Sequence, residues 1–213
     1  MIIGIAGRIG SGKDTVGEII QELCLSNHGP VFEVKKFAGK LKQIASLLTG
    51  IPVEDFEDQE FKKSYLGAEW GTVESNPLNA VPVFENIEFN HLMSVRELLQ
   101  KLGTEAIRDG LHPNAWVNAL MCEYKRPKMS EYNPSNWIIT DVRFPNELEA
   151  VEDVKGLTLK VIRPVEKSKT PARLHPSETS LDKAEFDYEI INDGSIEDLI
   201  EKVRIILITE KII

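Results

Sequence analysis

The first fifteen residues, Met-Ile-Ile-Gly-Ile-Ala-Gly-Arg-Ile-Gly-Ser-Gly-Lys-Asp-Thr, put an apolar run, a glycine-rich turn and the start of an amphipathic segment in direct succession. Ile2, Ile3, Ile5 and Ala6 read as a strand covered on both faces, the pattern of a central strand in a parallel sheet. Val16, Ile19, Ile20 and Leu23 then recur at helical spacing. Between the two, Gly7, four further residues, Gly12 and Lys13 match the Walker A phosphate-loop spacing as far as the lysine. Such a loop curls with its N–H groups inward, and a Cβ would obstruct the anion they hold. The helix expected from Lys13 adds unsatisfied N–H groups and the positive end of its dipole. The stretch predicts a nucleotide-phosphate site made by Gly10, Ser11, Gly12, Lys13, Asp14, Thr15 and Val16, with Lys13 bridging the β- and γ-phosphates as a point charge.

One position departs from that pattern. The residue after the lysine is ordinarily Ser or Thr, whose hydroxyl ligates magnesium, but here it is Asp14, followed by Thr15. A carboxylate there holds magnesium directly or through water, because hard cations want oxygen ligands. The other reading is that Asp14 only caps the helix.

Composition narrows the partners. The 213 residues carry a formal net charge of −9, which argues against a nucleic-acid binder acting by phosphate neutralisation. An acidic chain that binds anionic nucleotides must gather its cations in one cleft. No stretch has the apolar length of a membrane span and no signal peptide precedes Ile2, so the expected location is the cytoplasm. The two cysteines, Cys24 and Cys122, lack metal-ligand spacing and read as reduced thiols.

Apolar runs at Ile2–Ala6, Val31–Val34, Trp137–Thr140, Leu157–Ile162 and Tyr188–Ile191 alternate with helical patterns, which predicts an α/β fold around a five-stranded parallel sheet. A helical insertion over residues 38–125 separates the second and third strands within a single domain spanning 1–213. It opens with a helix over Ala38–Leu48 and runs through a polar stretch to Phe89 that has no clear periodicity. Ser94 and Glu97 then form a capping box for the next helix, and another begins at Asn114. A last helix follows Ser195. An early phosphate loop, five parallel strands and a helical insertion describe a P-loop NTPase fold of the nucleotide-kinase type.

The third strand leads into Thr140-Asp141-Val142-Arg143-Phe144-Pro145-Asn146-Glu147. Ligands of an open parallel sheet bind beyond the carboxyl ends of its strands, so Asp141 and Arg143 are placed to reach one cleft. There Asp141 acts on magnesium or orients an acceptor, and Arg143 neutralises a phosphate. Alternatively, the pair only fixes the following turn, where Asn146 is the expected cap. Gly103 interrupts a helical pattern, which predicts a close approach to the backbone at that point. Thr104, Glu105 and Arg108, within a turn of it, face a nucleotide acceptor or form a solvated charged surface. Residues 163–180, with Arg163, Lys167, Lys169, Arg173 and His175, form a cationic stretch where a kinase lid would lie.

Together these blocks resemble the bacteriophage deoxynucleoside monophosphate kinases. The likeness rests on Gly-Ser-Gly-Lys-Asp-Thr at 10–15, Phe37-Ala38 with Leu41-Lys42, and Leu98-Leu-Gln-Lys-Leu-Gly-Thr-Glu105 with Arg108. It continues through Trp116, the block at 140–147, His175-Pro-Ser-Glu178 and Ile191-Asn192-Asp193. The last block is shared with other P-loop kinases, including dephospho-coenzyme A kinases. The resemblance implies transfer of a phosphoryl group from ATP, with magnesium, to a deoxynucleoside monophosphate. The partners would then be these small molecules, with no nucleic acid or membrane, for a monomer or homodimer in the host cytoplasm. It further implies that Lys42, Arg108 and Arg143 grip the acceptor phosphate, and that Arg173 is a lid arginine. Phe37 and Trp116 would wall the acceptor base or be core, and Asn192 and Asp193 would lie near adenine. Magnesium would fall to Asp14, Thr15 and Asp141. The rivals are another small-molecule kinase, such as a dephospho-coenzyme A kinase, and an ATP-binding module without transferase activity.

Overall fold

Ile3 and Ile5 lie on one side of the first strand and Ile2 and Ala6 on the other, and all four are buried, so this strand needs cover on both faces. The computed structural model, which describes residues 1–71, 92–125, 136–164 and 179–213, shows how that cover is supplied. In chain order the elements are β1 (Ile2–Ala6), α1 (Lys13–Ser26), β2 (Phe32–Lys35), α2 (Gly39–Thr49), α3 (Val95–Gln100) and α4 (Ala115–Lys125). Then come β3 (Asn136–Val142), α5 (Pro145–Glu152), β4 (Leu157–Ile162), β5 (Tyr188–Ile191) and α6 (Ile196–Thr209). They divide into two compact units: Met1–Ala38 with Trp116–Ile213, and Gly39–Ala115.

The first unit is a five-stranded sheet in the order β2-β3-β1-β4-β5, with every pairing parallel. On one face, Val16, Ile20 and Leu23 of α1 and Leu199, Val203 and Leu207 of α6 pack against Ile3, Ile5, Leu159 and Ile190. On the other, Val117, Leu120 and Met121 of α4 and Leu148 and Val151 of α5 pack against Ile2, Ala6, Ile139 and Val142. Residues 116–125, which the sequence pattern assigned to the insertion, therefore belong with the sheet. Strand β1 is the switch point: the chain leaves it toward β2 on one side and reaches β4 on the other. The loops that bind ligands in such sheets lie beyond the carboxyl end of the strands at this point. Strand β3 runs on through Val142, so Asp141 sits within its last turn of ladder rather than past it.

The second unit has a core of its own, with Ala45 of α2, Phe56, Leu66, and Val95 and Leu98 of α3. Of the stretch without periodicity, the described part is built from short 3₁₀ turns at Val53–Glu57, Phe61–Lys63 and Ala68–Trp70, and residues 72–89 lie outside the described residues. Such turns carry no period-3.6 signature, and they are held instead by single anchors such as the fully buried Phe56. Ser94 is the N-cap as expected, with Ser94 Oγ accepting from the amide of Glu97 at 3.2 Å, which is the first half of the expected capping box. After α3 the winding widens into a π-helix over Lys101–Asp109, closed by i→i+5 bonds from Gly110 to Glu105 and from His112 to Ile107. The close approach expected at Gly103 is made by Leu41 of α2, whose Cδ2 lies 2.8 Å from where a Cβ would stand.

Gly17 lets α1 sit directly on β3, since a Cβ there would fall 2.9 Å from Thr140 Cγ2. Gly17→Val is expected to lower stability by about 1–3 kcal/mol through overpacking. A urea-denaturation midpoint equal to that of the wild type would show that this contact does not set the helix position.

Candidate active site

The phosphate loop forms where β1 ends, and its geometry follows from its glycines. Gly12 adopts φ 101°, in the left-handed region, and stands as the N-cap of α1 with no side-chain capping bond. Asp14 is thus not the helix cap. Lys13 is 8% exposed, and its Nζ donates to the carbonyl oxygens of Gly7 (2.7 Å) and Arg8 (2.9 Å). The ammonium is folded back over its own loop, where the carbonyls supply the acceptors that a buried cation requires. Ser11 Oγ is also buried and has no hydrogen-bond partner among the described residues. Val16 points into the core, and its amide donates to Gly12 O at 2.9 Å, so its side chain belongs to the fold.

Because α1 lies close on β3, Asp14 meets the strand end. Its Oδ1 accepts from Thr140 Oγ1 at 2.6 Å and pairs with Lys36 Nζ at 3.3 Å. Partial burial works against ionisation of Asp14, but Thr140, Lys36 and Lys13 outweigh it and hold the carboxyl below the usual carboxylate range. Asp14 is therefore an anion at neutral pH, beside the loop lysine. Thr15 follows it on the first turn, half-buried. Neither Thr140 nor Lys36 stands out in the sequence as a site residue. They are brought here by the parallel pairing of β2 with β3, which aligns Lys35 with Ile139.

Asp141 has a different task from the one expected of a metal ligand. Its two carboxylate oxygens accept from the amides of Phe37 (2.8 Å) and Ala38 (2.9 Å), clasping the turn that leaves β2. Phe37 is 2% exposed and packs with Ile2, Ile139 and Val142, so of its two readings the core one holds. Trp116 is buried on α4. Arg143 is half-buried, and its amide donates to Glu147 Oε2 at 2.8 Å, as does that of Phe144 at 3.2 Å. The buried Glu147 fixes the turn that presents Arg143, although in the sequence it reads as an ordinary helix acid. Phe144 is the N-cap residue of α5, and Asn146 lies inside its first turn rather than capping it.

In the second unit, Lys42 is buried and paired with Glu57, so its charge is already neutralised. Thr104 and Arg108 are half-buried on the π-helix and Glu105 is exposed. Asn192 Nδ2 donates to Ser11 O at 2.8 Å, joining the end of β5 to the phosphate loop. Asp193 pairs with Lys202 at 2.9 Å, and this bond holds its carboxyl low. Arg173, with Lys167, Lys169 and His175, lies outside the described residues. Burial raises the Cys24 thiol to about 11, which leaves it inert. Among the described residues, no helix is long and apolar enough to cross a membrane.

A phosphate loop at the switch strand of a parallel sheet ordered 2-3-1-4-5, with its lysine buried over the loop, defines a P-loop kinase fold. The sequence profile of a family described as deoxynucleotide monophosphate kinase matches residues 54–203, and the chain belongs to that family. It is 26% identical to a deoxynucleoside-5'-monophosphate kinase of Escherichia phage T5, over 90% of this chain and 89% of that one. A deoxynucleotide monophosphate kinase of Enterobacteria phage T4 is 33% identical over 57% of this chain and 48% of its own length. Among solved structures, a shikimate kinase from Aquifex aeolicus superposes with a TM-score of 0.41 at 13% identity, over 99% of this chain and 98% of that one.

Thr140→Val removes the hydroxyl that holds Asp14 ionised. The carboxyl resonance of Asp14, followed by NMR titration, is expected to shift to a higher midpoint in this variant. Since a depressed folded-state pKa stabilises above the unfolded value of about 3.9, the wild type should exceed Thr140→Val in stability at neutral pH. That gap should narrow as pH falls below about 4. A gap independent of pH would mean that the hydroxyl acts by packing alone.

Proposed function

We propose that this chain transfers the γ-phosphoryl group of ATP, bound with magnesium, to the phosphate of a deoxynucleoside monophosphate, giving ADP and the diphosphate. The observation that carries the reading is Lys13: a buried ammonium bonded to the carbonyls of its own glycine-rich loop, in a member of a deoxynucleotide monophosphate kinase family. Carbonyl oxygens are weaker partners for an ammonium than a phosphate's charged oxygens, so arrival of the nucleotide gives Lys13 a better ligand. The unpartnered Ser11 Oγ and the left-handed Gly12 suit a cradle for an anion. Magnesium binds through one or two carboxylates together with waters and substrate phosphates, and Asp14 with Thr15 fits that donor set. When bound, the ion would neutralise charge on the transferring phosphates.

Phosphoryl transfer needs alignment and charge neutralisation more than covalent chemistry. An oxygen of the acceptor phosphate forms a bond to the γ-phosphorus as the bond to the β–γ bridging oxygen breaks, and ADP leaves with that electron pair. Lys13 draws charge from the donor phosphates. Arg143, set by Glu147, and Arg108 are the proposed grips on the acceptor phosphate, with Thr104 and Glu105 on the same π-helix as Arg108. Arg173 is proposed to come from the lid segment. Asp141 supports the site by holding the β2 turn, and Lys42 supports the second unit through Glu57.

Removing the loop cation in Lys13→Ala should cut turnover about 10³-fold or more with the fold intact. A purified, folded variant with more than a tenth of wild-type turnover would sink the assignment. Arg108→Ala and Arg143→Ala should each lower acceptor kcat/KM about ten- to hundredfold, the loss of one charge-assisted contact. An equal loss in ATP affinity with acceptor constants unchanged would place them at the wrong phosphate. The reaction itself is tested by measuring ADP release from Mg-ATP with deoxynucleoside monophosphates, ribonucleoside monophosphates, dephospho-coenzyme A and water. Release driven by deoxynucleoside monophosphates is expected. Release driven by dephospho-coenzyme A alone, or none at all, contradicts the reading.

A further inference from the structure

Asn192 closes β5, and its main chain is fixed on both sides. Its amide donates to Ile162 O at 2.7 Å, extending the β4–β5 ladder by one rung. The next residue, Asp193, is tied to Lys202 of α6 at 2.9 Å, and the same lysine donates to Ile191 O at 2.6 Å. The side chain of Asn192 therefore projects from a rigid support. It reaches the phosphate loop, where Nδ2 donates to Ser11 O at 2.8 Å across 181 residues of sequence.

The same nitrogen explains a second feature of the loop. A Cβ on Gly12 would lie 2.6 Å from Asn192 Nδ2, closer than such atoms approach. Gly12 is thus required both by its φ of 101° and by the amide packed against it. The two contacts bracket one peptide unit, Ser11–Gly12. In a trans peptide the C=O and the following N–H point in opposite directions. With Ser11 O aimed at Asn192, the N–H of Gly12 is aimed away from it. The structure has no cis peptide bond among the described residues.

We infer that Asn192 is a positioning residue for phosphate binding: its carboxamide fixes the orientation of the Ser11–Gly12 peptide, and so aims the Gly12 N–H at the nucleotide's phosphates. The inference rests on the reading of this loop as the ATP-phosphate site. It gives Asn192 a role other than contact with adenine. An amide is suited to the task because it donates without charge. A carboxylate of the same shape would set an anion against the Ser11 carbonyl and near the incoming phosphates.

The test uses Asn192→Asp, which keeps the volume, and Asn192→Ala, which deletes the donor. Inhibition constants are measured against Mg-ATP for inorganic tripolyphosphate and for adenosine, along with KM values for ATP and a deoxynucleoside monophosphate. The expected result is a rise of about tenfold or more in the tripolyphosphate constant and in KM for ATP, larger for the aspartate. Adenosine inhibition and acceptor KM should stay within twofold of wild type. A loss of adenosine affinity equal to that of tripolyphosphate would overturn the inference in favour of base contact. Unchanged tripolyphosphate affinity in both variants overturns it too, and Lys13→Ala then separates the two readings. If Lys13→Ala still abolishes ATP binding, only the role of Asn192 fails. If Lys13→Ala binds ATP normally, the phosphate-site reading fails with it. Should Asn192→Ala not fold, the aspartate variant alone decides, because it preserves packing.

Discussion

The ammonium of Lys13, buried and bonded to the carbonyls of Gly7 and Arg8, is the interaction around which the first unit is organised. A buried cation is tolerated only where oxygens surround it, and here those oxygens come from the glycine-rich loop itself. The loop keeps its shape because it is pinned from two directions. Asn192 holds the Ser11 carbonyl from the end of β5, and α1 is pressed onto β3 through Gly17. The second contact carries Asp14 to Thr140 and Lys36, so that an anion and two cations share one end of the sheet. Parallel topology makes this possible: β1, β3 and β5 all end on that side.

Carboxylates in this fold do two distinct kinds of work. Asp14 stays ionised beside the loop lysine, held by Thr140 and Lys36. Asp141 and Glu147 instead spend their oxygens on backbone amides, Asp141 on the turn after β2 and Glu147 on the turn that presents Arg143. Each replaces amide–water bonds that the turns would lose on folding, a buried carboxylate being well satisfied by two N–H donors. The carboxylate left beside the phosphate loop and the carboxylates that hold turns are thus of the same chemical type, and only their partners tell them apart.

That distinction explains what could be read from the sequence. The strands, the helices after Gly12, Ser94 and Ser195, and the phosphate loop were legible because apolar periodicity, capping residues and glycine spacing are local signals. The family blocks at 10–15 and 140–147 were legible as words. The role of Asp141 was not, because it depends on amides 103 and 104 residues away. Phe37 could be read as core or as a base platform until the packing around Ile2 and Ile139 placed it. Lys36 gave no signal, since only the register of β2 on β3 brings it to Asp14. Lys42 looked like a phosphate cation, whereas its partner Glu57 lies in a 3₁₀ turn with no periodic mark. The π-helix at Lys101–Asp109 shows in the sequence only as a glycine in a helical run, and that glycine leaves room for Leu41 of α2.

The central claim is that Lys13 is held in readiness by its own loop and exchanges those carbonyls for phosphate. A crystal structure with Mg²⁺ and a non-hydrolysable ATP analogue measures this directly. The account predicts that Lys13 Nζ leaves Gly7 O and Arg8 O and lies about 3 Å from a phosphate oxygen, with the Asn192–Ser11 bond kept. An analogue bound elsewhere, with Lys13 still on the two carbonyls, would contradict it.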